Sequence, residues 1–230
     1  MDRTFTSFSA FVLLGVVAAD LRQALIFVVC LVVATAFHEF AHAFAADRLG
    51  DPTPGRDGRL TLNPLAHADP VGTIGLPLMA GLLHLPLFGW GRPVMTQPRF
   101  YTRGMSMRAG MALVSFAGPL ANVLQATVTL LAIKLLLVAG VEHKGLFEVL
   151  VLFFTLNLTL AVFNLLPVHP LDGGKILAWA LPARFSHIDD TLARYGWTIL
   201  LALMLIPGLL QTLFTPVGIV RDWALRLVVG

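Results

Sequence analysis

The sequence predicts an all-α polytopic membrane protein: a bundle of about four to six membrane segments, one of them re-entrant, with a short β-hairpin at the surface. Three observations carry this. Hydrophobic residues make up 57% of the 230 and charged residues 13%, against about 45–50% and about 25% in soluble domains. The charges are segregated: residues 4–19, 23–37, 71–90, 109–133, 149–168 and 195–220 carry none, and a spanning helix needs ~20 mostly apolar residues. Within these runs no charge recurs at helical period, as it would on the wet face of a soluble bundle.

The segments follow in order. Residues 1–22 hold Arg3 and an apolar stretch that has the outline of a secretory signal. The next apolar run starts almost at once, so the stretch reads as a short N-terminal membrane segment instead. Residues 23–46 form a helix without Gly or Pro, closed by Gly50 as its C-terminal cap. Turn signals occupy residues 51–58. Arg59, Leu60, Thr61, Leu62 and Asn63 then alternate at period two, as a strand does. Residues 71–90 contain Gly72, Gly75, Pro77, Gly81 and Pro86, which suit a straight helix badly.

Loop charges set the topology. The stretch 91–108 carries Arg92, Arg99, Arg103 and Arg108 and no acid, which places it in the cytoplasm, whereas 140–148 carries only Lys144 as a base. With the 23–46 helix ending inside, residues 71–90 must dip into the membrane and return. Non-helical backbone is tolerated at that depth only against protein or a water cavity. Residues 109–140 then run outward and 146–168 inward. The chain turns at 167–170, and 195–220 makes a last crossing interrupted by Pro207 and Pro216. A net charge of +3 without a basic block gives no nucleic-acid footprint. The single cysteine, Cys30, excludes an intrachain disulfide and a multi-cysteine metal site, and reads as packing.

Chemistry concentrates in two motifs. His38-Glu39-Phe40-Ala41-His42 puts two imidazoles on one helix face with a carboxylate beside them, the arrangement that binds one zinc with the Glu as base. Two His and a Glu near the end of an apolar helix are expensive there unless functional; the plainer reading is polar residues snorkelling from a helix end. A hydrolytic zinc keeps three protein ligands and one open position. Asp172, in the stretch Asn164-Leu-Leu-Pro-Val-His-Pro-Leu-Asp172-Gly-Gly, is the candidate third ligand. Its segment runs in the same direction as the His38 helix and ends at the same depth. The plainer reading is an N-cap for the helix that follows. Asn122, mid-helix, reads as a hydrogen-bonding packing residue, and His169 as a non-ligand lining a wet pocket. His67 and His84 read as loop or interface residues, and His143 as an ordinary loop residue.

These motifs, with Gly-Arg-Leu-Thr-Leu-Asn-Pro at 58–64, Asp-Pro-Val-Gly-Thr at 69–73, Gly-Trp-Gly-Arg-Pro-Val at 89–94 and Gly-Pro-Leu-Ala-Asn at 118–122, resemble the site-2 protease family of intramembrane zinc metalloproteases. The likeness is to its compact prokaryotic branch without PDZ or CBS domain. It implies one Zn(2+) per chain held by His38, His42 and Asp172, Glu39 as general base, and Asn164 near the scissile carbonyl. The likeness covers roughly residues 30–182, and the chain reads as a single membrane-embedded domain over 1–230, with a catalytic core at 23–182 and a C-terminal membrane segment at 183–230. The expected substrate is a single-span membrane protein in the lipid bilayer, its backbone added as a strand to Arg59–Asn63. The expected location is the cell membrane, multi-pass, with the active site nearer the cytoplasmic side. Two other classes stay open from sequence: a catalytically silent homologue that binds membrane proteins, and a metal transporter. The transporter needs a polar path on both sides of the site, and the outer halves of these helices are apolar.

Overall fold

A computed structural model describes residues 21–85, 87–101, 104–206 and 208–229. The expected N-terminal membrane segment, up to residue 20, and Arg103 of the arginine loop lie outside the described residues. Helix α1 is Leu21–Arg48, about 42 Å long at 1.5 Å per residue. Its buried positions Ala24, Phe27, Leu31, Ala34, His38, His42 and Ala46 recur every three or four residues and form one stripe, while Leu25, Val29 and Phe37 face outward. The helix stops at Gly50, whose φ of 104° admits the paired bonds Gly50 N to Asp47 O and Asp51 N to Ala46 O. This is the six-to-one closure that favours glycine.

Short helices α2 (Thr53–Arg56) and α3 (Pro64–His67) follow. The strand expected at Arg59–Asn63 does not form, and among the described residues there is no strand, only an isolated bridge between Ala68 and Gly91. Local bonds take up the groups a ladder would need. Arg59 N donates to Pro54 O, the Arg59 guanidinium to Ala66 O, and Thr61 O pairs with His67 Nε2. His67 is thereby a fully buried structural residue.

The re-entrant reading of 71–90 matches the path of the chain. A π-helical turn (Pro70–Gly75) and helix α4 (Leu76–Leu82) lead away, and an irregular return ends beside the start. Trp90 N reaches Gly72 O, Arg92 N reaches His67 O, and Thr73 Oγ1 donates to Trp90 O. Ala80 and Leu87 of this excursion pack with Phe27, Cys30 and Leu31 of α1 and with Leu152 and Leu156, so one side of the irregular backbone lies against protein, while Leu85, Phe88 and Trp90 are exposed. Cys30 is a packing residue there.

Helix α5 (Met107–Val138) opens on a Ser106 cap that accepts Ala109 N. Helix α6 (Lys144–Asn164) opens on His143, whose ring accepts Leu146 N. After the turn at 165–171 comes α7 (Asp172–Ala180). Among the described residues, α1, α5 and α6 are the helices long and apolar enough to cross a membrane. The run 195–220 is not one helix. It is divided between α8 (Ser186–Leu205) and α9 (Leu209–Val229). The sequence has Pro207 at the break, which cannot continue a helix, and Gly208 is left-handed there. Helix α9 packs through Ala224 and Leu225 on Phe147, Val151 and Phe154 of α6 and Ala126 and Ile133 of α5. Between membrane helices such packing and interhelical hydrogen bonds, averaging about 0.6 kcal/mol each, replace the hydrophobic drive of water-soluble cores.

Candidate metal centre

The site forms where α1, α5 and the start of α7 converge. One helical turn separates His38 from His42, which brings both rings onto the buried stripe of α1, their centroids 4.6 Å apart and their planes at 86°. Room for two imidazoles against α5 exists only because residue 118 is glycine. A Cβ there would lie 2.4 Å from His42 Nε2 and 2.6 Å from His38 Cε1. On the other side, Gly173 and Gly174 let α7 nest against the end of α6, since a Cβ on Gly173 would come within 2.3 Å of the carbonyls of Leu165 and Leu166. That close approach delivers Asp172. The cap of α7 is Leu171, not Asp172, so the carboxylate is free to enter the site.

Asp172 Oδ2 lies 3.3 Å from His38 Nε2 and 3.1 Å from His42 Nε2, and the two Nε2 atoms are 3.0 Å apart. The Nδ1 positions are engaged elsewhere. His42 Nδ1 donates to Val114 O at 2.7 Å and His38 Nδ1 to Asn122 Oδ1 at 2.6 Å. With their protons on Nδ1, both rings turn Nε2 lone pairs towards a carboxylate oxygen. Three electron-rich atoms this close, all buried, repel one another unless a cation stands among them. The donor set therefore fits one metal ion. Zinc bonds of ~2.0–2.1 Å at the tetrahedral angle put ligand atoms roughly 3.3 Å apart, close to the spacing here. The Asp172 carboxyl is buried together with the two imidazoles. Its second oxygen, Oδ1, is 3.6 Å from Lys175 Nζ.

A cavity of about 410 Å³ opens on this cluster and is lined also by Glu39, Asn164 and the stretch from Pro93 to Thr96. Glu39 Oε2 accepts the Val94 N–H at 2.7 Å, which fixes the carboxylate beside His38 and His42. Asn164 donates one amide hydrogen to Leu160 O and keeps a second for the cavity. All five motif residues thus meet at one place. Arg59, Leu60, Thr61, Leu62 and Asn63 do not line the cavity. His169 is also not among the lining residues; its ring pairs with Asp189 of α8 at 2.8 Å. Sequence reading missed the backbone donor of Val94, Lys175, and Asn157, which bonds to Asn122. For Asn157 a signal existed: it is a polar residue in the middle of an apolar run.

Fold and site together define a multi-pass helical membrane protein with a buried His–His–Asp metal site beside a carboxylate. Comparison with known proteins agrees. The family model described as Peptidase family M50 matches residues 132–207, a stretch that includes Asn164 and Asp172. The chain is 37% identical over 205 residues to "Putative zinc metalloprotease YwhC" of Bacillus subtilis, covering 87% of this chain and 89% of that protein. It is 34% identical over 180 residues to "Putative zinc metalloprotease Rip2" of Mycobacterium tuberculosis, covering 77% of this chain and 65% of that one. No solved structure gives a significant match. The chain belongs to peptidase family M50.

Proposed function

We propose that the protein is a zinc-dependent endopeptidase that hydrolyses peptide bonds in or near the transmembrane helices of single-span membrane proteins. The observation that carries this is the convergence of two Nε2 lone pairs and one Asp172 oxygen at 3.0–3.3 Å, with Glu39 lining the same cavity. His38, His42 and Asp172 hold the metal. When bound, zinc supplies Lewis acidity that brings the pKa of water towards ~7. Glu39 is the base. Its Oε2 is occupied by Val94 N–H, so Oε1 takes the proton as water's oxygen bonds to the scissile carbonyl carbon. The same proton passes to the amide nitrogen as the C–N bond breaks, leaving a carboxylic acid and an amine. Asn164 directs its second amide hydrogen at the carbonyl oxygen, where negative charge develops.

Substrate docking by strand addition, expected at Arg59–Asn63, is better supported at Pro93–Thr96. That stretch lines the cavity, and among the described residues Val94 O and the Met95 backbone have no hydrogen-bond partner. An unwound helix could pair there. The catalytic unit is a single membrane-embedded domain with its core at 23–182 and its active site nearer the cytoplasmic side. The arginine-rich stretch that borders the cavity supports that side. Glu39→Gln keeps the size of the side chain but cannot accept the water's proton. The purified variant should hold zinc like the parent and cleave a membrane-embedded substrate only at background. Cleavage at the parental rate would refute the mechanism.

A further inference from the structure

Two buried asparagines stand behind His38, and neither contacts the cavity. Asn122 on α5 and Asn157 on α6 are each fully enclosed, in stretches that are mostly apolar. They form a chain of three bonds. Asn157 Nδ2 donates to Phe153 O at 2.9 Å, Asn122 Nδ2 donates to Asn157 Oδ1 at 2.9 Å, and Asn122 Oδ1 lies 2.6 Å from His38 Nδ1.

The direction of this chain is fixed from its far end. A backbone carbonyl can only accept, so Phe153 O requires the Asn157 amide nitrogen. That choice turns Asn157 Oδ1 towards Asn122 and requires the Asn122 amide nitrogen. Only Asn122 Oδ1 then remains for the imidazole. Rotating either amide by half a turn would set oxygen against oxygen or N–H against N–H at hydrogen-bond distance, a mismatch that burial makes costly. The ring must therefore carry its proton on Nδ1 and present a lone pair at Nε2.

We propose that Asn122 and Asn157 are positioning residues, a relay of fixed polarity that holds His38 in the tautomer and orientation needed for metal binding. The proposal rests on the metal reading of His38, His42 and Asp172. His42 is held by a main-chain oxygen, that of Val114, which no side-chain substitution can remove. The support for His38 is made of side chains, so His38 is where metal affinity can be tuned without touching a ligand. Partners of this kind fix the tautomer and raise ligand basicity in metal sites generally. A purely structural role, as hydrogen-bonding glue between α5 and α6, predicts a loss of stability that is blind to bond direction.

The test compares zinc dissociation constants, by competition with a chelator, and melting temperatures of the zinc-free proteins in detergent. Asn122→Leu removes the acceptor and should weaken zinc by roughly 10–100-fold. Asn157→Leu leaves the Asn122 amide free to turn, and should weaken zinc by about tenfold. Asn157→Asp keeps an acceptor for Asn122 Nδ2, and when protonated also a donor for Phe153 O. It should hold zinc within about threefold of the parent, well short of the roughly 10–100-fold that loss of such a partner costs. A folded Asn122→Leu that binds zinc as tightly as the parent overturns the proposal. So does an Asn157→Asp that loses zinc as far as Asn157→Leu, which also decides the matter if Asn122→Leu fails to fold. A parent that binds no zinc would instead remove the metal reading on which the relay depends.

Discussion

Helix α1 and the loop that faces it across the cavity are held in place in contrasting ways. On α1 every imidazole nitrogen has a partner: Nδ1 of His38 and of His42 are bonded to groups on α5, and both Nε2 atoms converge on Asp172. Among the described residues, three main-chain nitrogens of the loop from Gly91 to Gln97 are pinned: Arg92 to His67 O, Val94 to Glu39 and Gln97 to Asp51. Between these pins Met95 is 67% exposed. The contrast follows from what each part must do. On the proposed function, ligands displaced by an ångström lose the metal, whereas a surface that receives an extended backbone leaves its own groups unpaired.

The comparison breaks most sharply at Gly118. Gly118→Ala places a Cβ 2.4 Å from His42 Nε2, where only a shift of the ligand relieves the clash. Zinc affinity should fall by at least the roughly 10–100-fold typical of lost ligand support, with cleavage abolished; chelator competition on the folded variant checks it. The loop should respond differently. Val94→Pro removes the N–H that holds Glu39 Oε2, and should lower kcat by about 10²-fold, as misplacement of a catalytic group does, while zinc content stays at the parental value. Val94→Ala keeps the N–H and should resemble the parent. Loss of zinc in Val94→Pro would join the loop to the metal scaffold and erase the distinction. The smallest effect belongs to the bend at 59–63. Leu62 is half exposed there and away from the cavity, so Leu62→Ala should change the cleavage rate by less than about twofold, in line with the small effects of surface substitutions. A large loss would return substrate docking to that bend.

The same contrast explains what could be read from sequence. His38, Glu39 and His42 are legible because one helical turn alone brings them together. Asp172 is legible because loop charges give the direction of each crossing and hence a common depth. The re-entrant path follows from the same charges. What depends on register between helices is not written locally. Nothing in the neighbourhood of Asn157 says that it meets Asn122 35 residues away, and the motif at 89–94 does not say that a backbone N–H would serve Glu39. The strand at 59–63 was misread because five alternating residues carry little information. A buried arginine and a buried histidine, each reaching for a nearby carbonyl, outweighed the pattern. The last crossing, expected with an interruption at Pro207, divides there into two helices, Ser186–Leu205 and Leu209–Val229, with Gly208 left-handed between them.

The central claim is that His38, His42 and Asp172 hold one metal ion. X-ray absorption at the zinc edge of the purified protein, with zinc per chain measured on the same sample, tests it most directly. The account predicts one zinc per chain, nitrogen and oxygen neighbours at ~2.0–2.2 Å, an outer-shell signal of two imidazoles, and a marked loss of zinc in Asp172→Ala. Sulfur in the first shell, fewer than two imidazoles, or undiminished zinc in Asp172→Ala would contradict it.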